Sequence, residues 1–482
     1  MSNIRNVFYN TLTQIVSIFF PLILIPFLAR TLGPEGLGVF SYTQTILQFF
    51  LVIGVFGLDV FGQKKIALDK SCHQKTNQTF SNILFLRFTL LLIILLLYII
   101  IISIFFLNYR IFLYLSIIYI VSSMFDLTWF YIGIEDYKII ASRNVLIKVV
   151  AFILVLIYIK NIKSLPIYIL INGGANLLSN LLLLYNIITK KIITFIRPNI
   201  DECKKIIKIS YPILLFQVVT VAGTLVTRLL IIKYLNTIDL GVYDTILRMV
   251  LIIVSLICSI PGAFIARLSV VAEKSVESIE ILLGKMIALI GLFALPAAGG
   301  LMCLSATVSD IFLGSSFPNS KIILFIASPI IYFNSISYVV GSQYQVYCNK
   351  VEQFTTTLIY TFFIGILLYL FAIPKYGNIG TITVSLFLEA LITNIHFIRS
   401  RKSVNFYKII VYNNWKQLIS TLIMCTVLMG IKKANIVTSP YTLLFFNILI
   451  GALIYELFLL FFHDKCNSQV IKIFIKKKNF LV

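Results

Sequence analysis

Long blocks of apolar residues separated by short polar segments run the length of the chain. From Phe88 to Phe106 the only polar groups are Thr89, Tyr98 and Ser103. A continuous apolar run of this kind crosses roughly 30 Å of hydrocarbon as a helix, and it lacks the alternation of a half-buried strand. The pattern predicts fourteen transmembrane helices, near 11–30, 38–60, 80–106, 111–133, 143–160, 165–188, 207–232, 239–261, 279–307, 320–341, 354–373, 378–398, 416–431 and 440–462. The residues before the first span, Met1 to Asn10, are polar, and no A-x-A-type site follows. The first apolar block is therefore expected to be a span and not a cleaved signal peptide.

Composition agrees with that reading and sharpens it. Hydrophobic residues make up 60% of the chain and charged residues 12%, with a mean hydropathy of +1.00. A soluble chain of this length needs far more polar surface. The net charge of +22 could point to nucleic acid, but the Lys and Arg residues lie mainly in loops. There they fit membrane topology and anionic lipid headgroups. One set of loops carries Lys64, Lys65, Lys70 and Lys75, then Lys138, Arg143 and Lys148, then Lys190, Lys191, Arg197, Lys204, Lys205 and Lys208. Arg399, Arg401, Lys402 and Lys408 continue the set, and Lys476, Lys477 and Lys478 end it. These loops hold about three times as many basic residues as the opposite set, so both termini are expected in the cytoplasm. No cysteine falls in an outside loop, so no structural disulfide is expected.

A weak internal repeat sets the domain organisation. RTLGPEGLGVF (30–40) aligns without gaps on KYLNTIDLGVY (233–243), and on the same offset Gln14 meets Gln217. The repeat predicts two six-helix bundles in the same orientation, residues 1–200 and 201–400. Residues 401–482 then form two additional helices and a basic cytoplasmic tail.

Several motifs carry a resemblance. LGPEGLGVFSYTQT follows the first span, FGLDVFGQKKIA the second, and DLTWFYIGIEDYKIIASRNVLIK crosses the fourth and fifth; PKYGNIGTITVSLFLEALI lies near the twelfth. Together they resemble the Wzx-type polysaccharide repeat-unit flippases (O-antigen and capsule transporters) of the multidrug/oligosaccharidyl-lipid/polysaccharide exporter superfamily. The resemblance covers nearly the whole chain. It implies a V-shaped pair of bundles working by alternating access in the bacterial cytoplasmic (inner) membrane. It also implies a cargo of undecaprenyl-diphosphate-linked oligosaccharide, moved from the inner to the outer leaflet, with a polysaccharide polymerase and chain-length proteins as partners.

Such a cargo needs cations for its diphosphate, and charges inside spans are costly without a partner or a cavity. Arg248 lies about ten residues into the eighth span, where a cavity position competes with an ion pair to Asp244 one turn earlier. Arg228 is in the outer third of the seventh span and Arg87 in the inner third of the third; both are candidate substrate contacts, with snorkelling as the alternative. Arg30, Lys233 and Lys285 fit interfacial anchors. Asp59 and Asp126, near inner helix ends, fit caps or partners for nearby lysines, and Trp129 is a candidate for stacking on sugar. Glu389, mid-span with His396 two turns on, is the candidate ion-coupling site, with a helix–helix hydrogen bond as the alternative.

Catalysis has no support. The three histidines, His73, His396 and His463, are far apart and lack metal-ligand spacing, and no phosphate-cradling P-loop is present. No cofactor or metal is expected. An ion-coupled multidrug or small-molecule antiporter of the same superfamily is the alternative function, and a scaffold in a glycan-assembly complex is a further one. A membrane enzyme such as a polymerase or ligase is disfavoured, since such reactions call for a large outside loop and none here exceeds roughly fifteen residues.

Overall fold

The computed structural model describes residues 19–106, 108–262, 264, 276–346, 348, 350–401, 403–433, 440–464 and 466–468. Gln14, the start of the first predicted span and the Lys476–Lys478 end of the basic tail lie outside the described residues. Among the described residues there are helices and turns and no strands. Among the described residues eleven helices are long and apolar enough to cross a membrane, and a shorter apolar helix covers Phe19–Thr31. The chain is an all-helical, multi-pass membrane protein.

Two compact units divide it, Met1–Gly241 and Val242–Val482. The first contains α1 (Phe19–Thr31), α2 (Gly33–Val55), α3 (Leu58–Asp69), α4 (His73–Phe105), α5 (Arg110–Leu115), α6 (Ile117–Met124), α7 (Thr128–Gly133), α8 (Tyr137–Tyr158), α9 (Leu165–Thr189) and α10 (Ile200–Tyr234). In chain order there follow α11 (Thr237–Gly262), which begins at the end of the first unit, α12 (Val276–Phe312), α13 (Ser320–Ala327) and α14 (Ile330–Ser337). A π-helix (Tyr338–Gln345) leads to α15 (Val351–Ser400), α16 (Phe406–Lys433) and α17 (Pro440–Phe461).

Two apolar runs that read as single spans are broken in the structure. The second ends at Val55, because Phe56 (φ 55°) and Gly57 (φ 70°) turn the chain through left-handed conformations. Gly57 also has no room for a side chain: a Cβ there would meet Ile213 at 2.9 Å. The fourth is interrupted at Ser116 and again at Phe125–Leu127, where the Asp126 carboxylate accepts from the Thr128 amide at 2.9 Å in the turn that leads into α7. Conversely, the predicted eleventh and twelfth spans sit in the single 50-residue α15, separated by Gly377 (φ 57°, ψ −139°) three residues after Pro374.

The motifs at 57–66 and 126–138 pack on each other. A Cβ at Gly62 would lie 2.6 Å from the Trp129 ring, and one at Gly133 would lie 2.8 Å from Ile66. Two small residues thus let α3 and α7 approach closely, as small-residue packing in membranes does. Trp129 is buried and stacks on Phe80 (centroids 5.6 Å apart, interplanar angle 28°) within a core that includes Leu58, Phe130 and Leu183. Its indole therefore belongs to packing and is not presented to a sugar. The link between α9 and α10 is held by the polar start of α4. Ser81 Oγ accepts from the Ile196 amide (3.0 Å), Asn82 Oδ1 accepts from the Asn199 amide (2.8 Å), and Asn82 Nδ2 donates to Glu202 (2.5 Å).

Repeat-matched positions meet reciprocally within the first unit. A Cβ on Gly38 would collide with the Thr237 carbonyl, and one on Gly241 with the Pro34 carbonyl. Pro34 aligns with Thr237 and Gly38 with Gly241, so each member of the pair meets the other's counterpart, as across a symmetric contact.

In the second unit α16 lays polar side chains into glycine notches of α12. Gly291 faces Asn414 and Gln417, Gly299 faces Thr421 and Cys425, and Gln417 Nε2 donates to the Ala288 carbonyl at 3.1 Å. Tyr455 of α17 donates to the Leu292 carbonyl at 3.0 Å. The last two helices are integral to this unit. All seven cysteines are free thiols.

Candidate functional site

The first unit contains a charged network at helix breaks. Arg87 is 1% exposed, a position affordable to a guanidinium only with full compensation. Its Nη1 pairs with Asp59 at the start of α3, and its Nη2 lies 3.7 Å from Asp126 Oδ2. Nε donates to the Ser123 carbonyl (2.6 Å) and Nη2 to Ser123 Oγ (3.2 Å). Both acids were expected to cap helices or pair with lysines. Asp126 does accept from the Thr128 amide, but the partner of both is Arg87, because the Gly57 turn and the end of α6 bring their side chains to α4.

The network continues onto α8 and α9. Asn180 on α9 donates to the Ser122 carbonyl (2.9 Å) and Oγ (3.0 Å). Arg143 on α8 donates to the Ser179 carbonyl (2.8 Å), to Asn180 Oδ1 (3.3 Å) and to Thr128 Oγ1 (3.4 Å), closing a ring back to Asp126. Two arginines thus balance two carboxylates across six helices, α3, α4, α6, α7, α8 and α9. Arg143 reads in sequence as one more loop cation. The helix starting at Tyr137 turns it inward, and the pairing of SSM with N at 122–124 and 180 gives no local signal.

The remaining candidates are separate from this ring. Arg228 on α10 donates through Nη1 to the buried Thr45 Oγ1 of α2 at 2.5 Å. Arg30, Lys233 and Lys285 are exposed, in keeping with anchoring, and Lys233 lies over the Tyr234 ring. In the second unit Arg248 is half-buried on α11. There Tyr243 and Tyr369 converge on Ser385, at 3.0 Å and 2.9 Å between oxygens. Glu389 lies one turn beyond Ser385 on α15, with the Asn334 side chain of α14 beside its carboxyl. Arg87 and Arg228 lie on α4 and α10 of the same unit, and Arg248 and Glu389 lie on different helices of the other unit.

The family described as "Polysaccharide biosynthesis protein" matches residues 4–271, more than half of the chain. The chain is 21% identical over 404 residues to a protein of Escherichia coli (strain K12) named "Putative O-antigen transporter", covering 83% of this chain and 97% of that one. Among solved structures it is similar to the lipid II flippase MurJ in an inward closed conformation, with a TM-score of 0.72 and 16% identity over 96% of this chain and 99% of that one. It is also similar to an inward-facing MATE-family multidrug resistance transporter, with a TM-score of 0.56 and 17% identity over 81% of this chain and 97% of that one. These likenesses establish the fold of a membrane transporter of the MurJ and MATE kind.

Proposed function

Because the chain belongs to the polysaccharide biosynthesis protein family and has a transporter's fold, not an enzyme's, we propose that it flips undecaprenyl-diphosphate-linked oligosaccharide from the inner to the outer leaflet of the bacterial cytoplasmic membrane. The observation that carries this reading is the likeness to a lipid II flippase along 96% of the chain, joined to family membership over residues 4–271. Counting Phe19–Thr31, the two halves of α15, and α16 with the helices already long enough gives fourteen crossings, an even number that supports both termini on one side, and the excess of basic residues in one set of loops supports the cytoplasmic side.

The diphosphate is the cargo's densest charge, so it is the part that a membrane protein must hold by cations. Arg228 on α10 and Arg248 on α11 are the proposed cationic contacts. Arg87 is assigned instead to holding its unit together, since two carboxylates and a serine already engage it. Glu389 is the proposed ion-coupling carboxyl. Anionic lipids are proposed at the basic loops, and a polymerase and chain-length proteins as downstream partners.

The test is leaflet transfer of an undecaprenyl-diphosphate oligosaccharide in liposomes holding the purified protein. Transfer by the wild type, lost in a folded Arg248→Ala protein, supports the reading and the residue. Transfer unchanged in Arg248→Ala keeps the cargo and removes the residue. Exchange of ions for a small organic cation, with no lipid-linked sugar moved, replaces the cargo with that of a multidrug antiporter.

A further inference from the structure

The second unit has a polar stripe on α15 that the assignments above do not use. Glu389, Thr393, His396 and Ser400 recur at i, i+4, i+7 and i+11, so they share one face of the helix. That face meets α14 and the π-helix. Asn334 stands beside Glu389, the Phe333 carbonyl accepts from Thr393 Oγ1 at 3.1 Å, and Gln345 Nε2 donates to Ser400 Oγ at 3.3 Å. Between them His396 stacks on Phe354 (5.5 Å, 18°), and its Nε2 lies 2.8 Å from where a Cβ on Gly341 would be. The imidazole therefore fits only because the π-helix presents a glycine at that point.

The middle of the stripe is polar, buried and unpartnered. His396 and Gln345 are 0% exposed and Gln343 is 1% exposed. Among the described residues neither ring nitrogen of His396, neither amide atom of Gln343, and not Gln345 Oε1 has a hydrogen-bond partner. So many orphaned groups together are rare in native interiors, and internal water is the usual supplier of their hydrogen bonds. π-Helices widen a helix locally and recur at functional sites.

We infer that this face is a hydrated proton path, in which His396 relays protons between Glu389 and the Ser400 end of α15. A proton arriving on one ring nitrogen gives the imidazolium. Loss of the hydrogen on the other nitrogen then leaves a neutral ring in the opposite tautomer, and exchange of its ring hydrogen through water resets the first tautomer for the next proton. Charged and titratable groups come from each element packed here. Arg399 donates to the Gln353 carbonyl (2.7 Å) and to Thr356. Lys350 donates to Tyr344 Oη (2.8 Å) and Ser403 Oγ (2.7 Å), and Lys321 of α13 pairs with Asp310 of α12 (2.9 Å). Tyr332 on α14, Tyr338 on the π-helix and Glu352 at the start of α15 complete the set.

The inference rests on the ion-coupled reading of Glu389, and its test needs no cargo. In lipid bilayers, the infrared band of the protonated Glu389 carboxyl, identified by its loss in Glu389→Gln, is followed after a pH jump. The expected result is that His396→Phe, which keeps the ring stack, slows equilibration of that band by about tenfold or more. An unchanged rate in a folded His396→Phe protein overturns the relay. The second measurement leaves position 396 intact. In a His73→Gln/His463→Gln background the 15N resonances of His396 alone are recorded. Reversible titration with rapid exchange of its ring hydrogen with water supports the path, and a ring fixed in one protonation state with slow exchange overturns it. Failure of lipid-linked sugar transfer would remove the cargo and leave both readouts standing.

Discussion

The two units bury polar groups in opposite ways. In the first, charges are matched, although Arg143 Nε has no hydrogen-bond partner: Arg87 and Arg143 are surrounded by Asp59, Asp126, Ser122, Ser123, Thr128 and Asn180, on helices locked by the Gly62 and Gly133 notches. In the second, the polar face around the π-helix is largely neutral, and His396, Gln343 and Gln345 hold atoms with no protein partner. A matched charge network resists rearrangement, because moving any member strands another in low dielectric. A neutral, water-served face can exchange its partners at small cost. The contrast assigns rigidity to the Arg87 region and adaptability to the α14–α15 face.

That contrast breaks most severely at Arg87. Arg87→Leu strands two carboxylates and should destabilise the protein by about 3–5 kcal/mol, read as a large fall in its detergent melting temperature. Adding Asp59→Asn and Asp126→Asn to the same chain should recover most of the loss; no recovery would mean the carboxylates are not what Arg87 holds.

The glycine notch comes next. Gly62→Ala forces a methyl into the Trp129 ring and should cost about 1–3 kcal/mol, reduced when Trp129→Leu is added. The clamp on the α9–α10 link is of similar or smaller size. Asn82→Ala leaves Glu202 and the Asn199 amide unpaired, costs about 1–3 kcal/mol, and should speed proteolysis within 190–199. Proteolysis unchanged from wild type would show that the link is held by something else.

The smallest effect on stability is expected in the second unit, where it sharpens the contrast. His396→Phe replaces unpartnered nitrogens by carbon and keeps the stack on Phe354, so the melting temperature should stay level or rise slightly. A drop as large as that of Arg87→Leu would place His396 in a satisfied network and erase the difference between the units.

Much of this was legible in the order of residues. Apolar blocks of about twenty residues specify membrane-spanning helices with no further information, because an unpaired backbone has no other solution in hydrocarbon. The break between the predicted eleventh and twelfth spans is written in PKYGN, where Pro374 and Gly377 cannot continue a regular helix. Family resemblance could be read in the motifs at 57–66 and 126–138, although nothing in either string says that it packs on the other.

Tertiary structure decided the partners. Arg87 reads as an inner-third cation, and its depth alone cannot separate cargo from compensation; Asp59 and Asp126 lie 28 and 39 positions away and reach it only through the turn at Phe56–Gly57 and the break after Met124. Arg143 and Asn180 join them from two further helices. The stripe 389, 393, 396, 400 is visible as a helical period, yet its meaning depends on a π-helix from another segment that places Gly341 against His396. Solvent transfer acts on each segment by itself, so sequence alone determined the spans. Charge pairing and packing act between segments, so only the fold determined which buried groups are satisfied and which are left open.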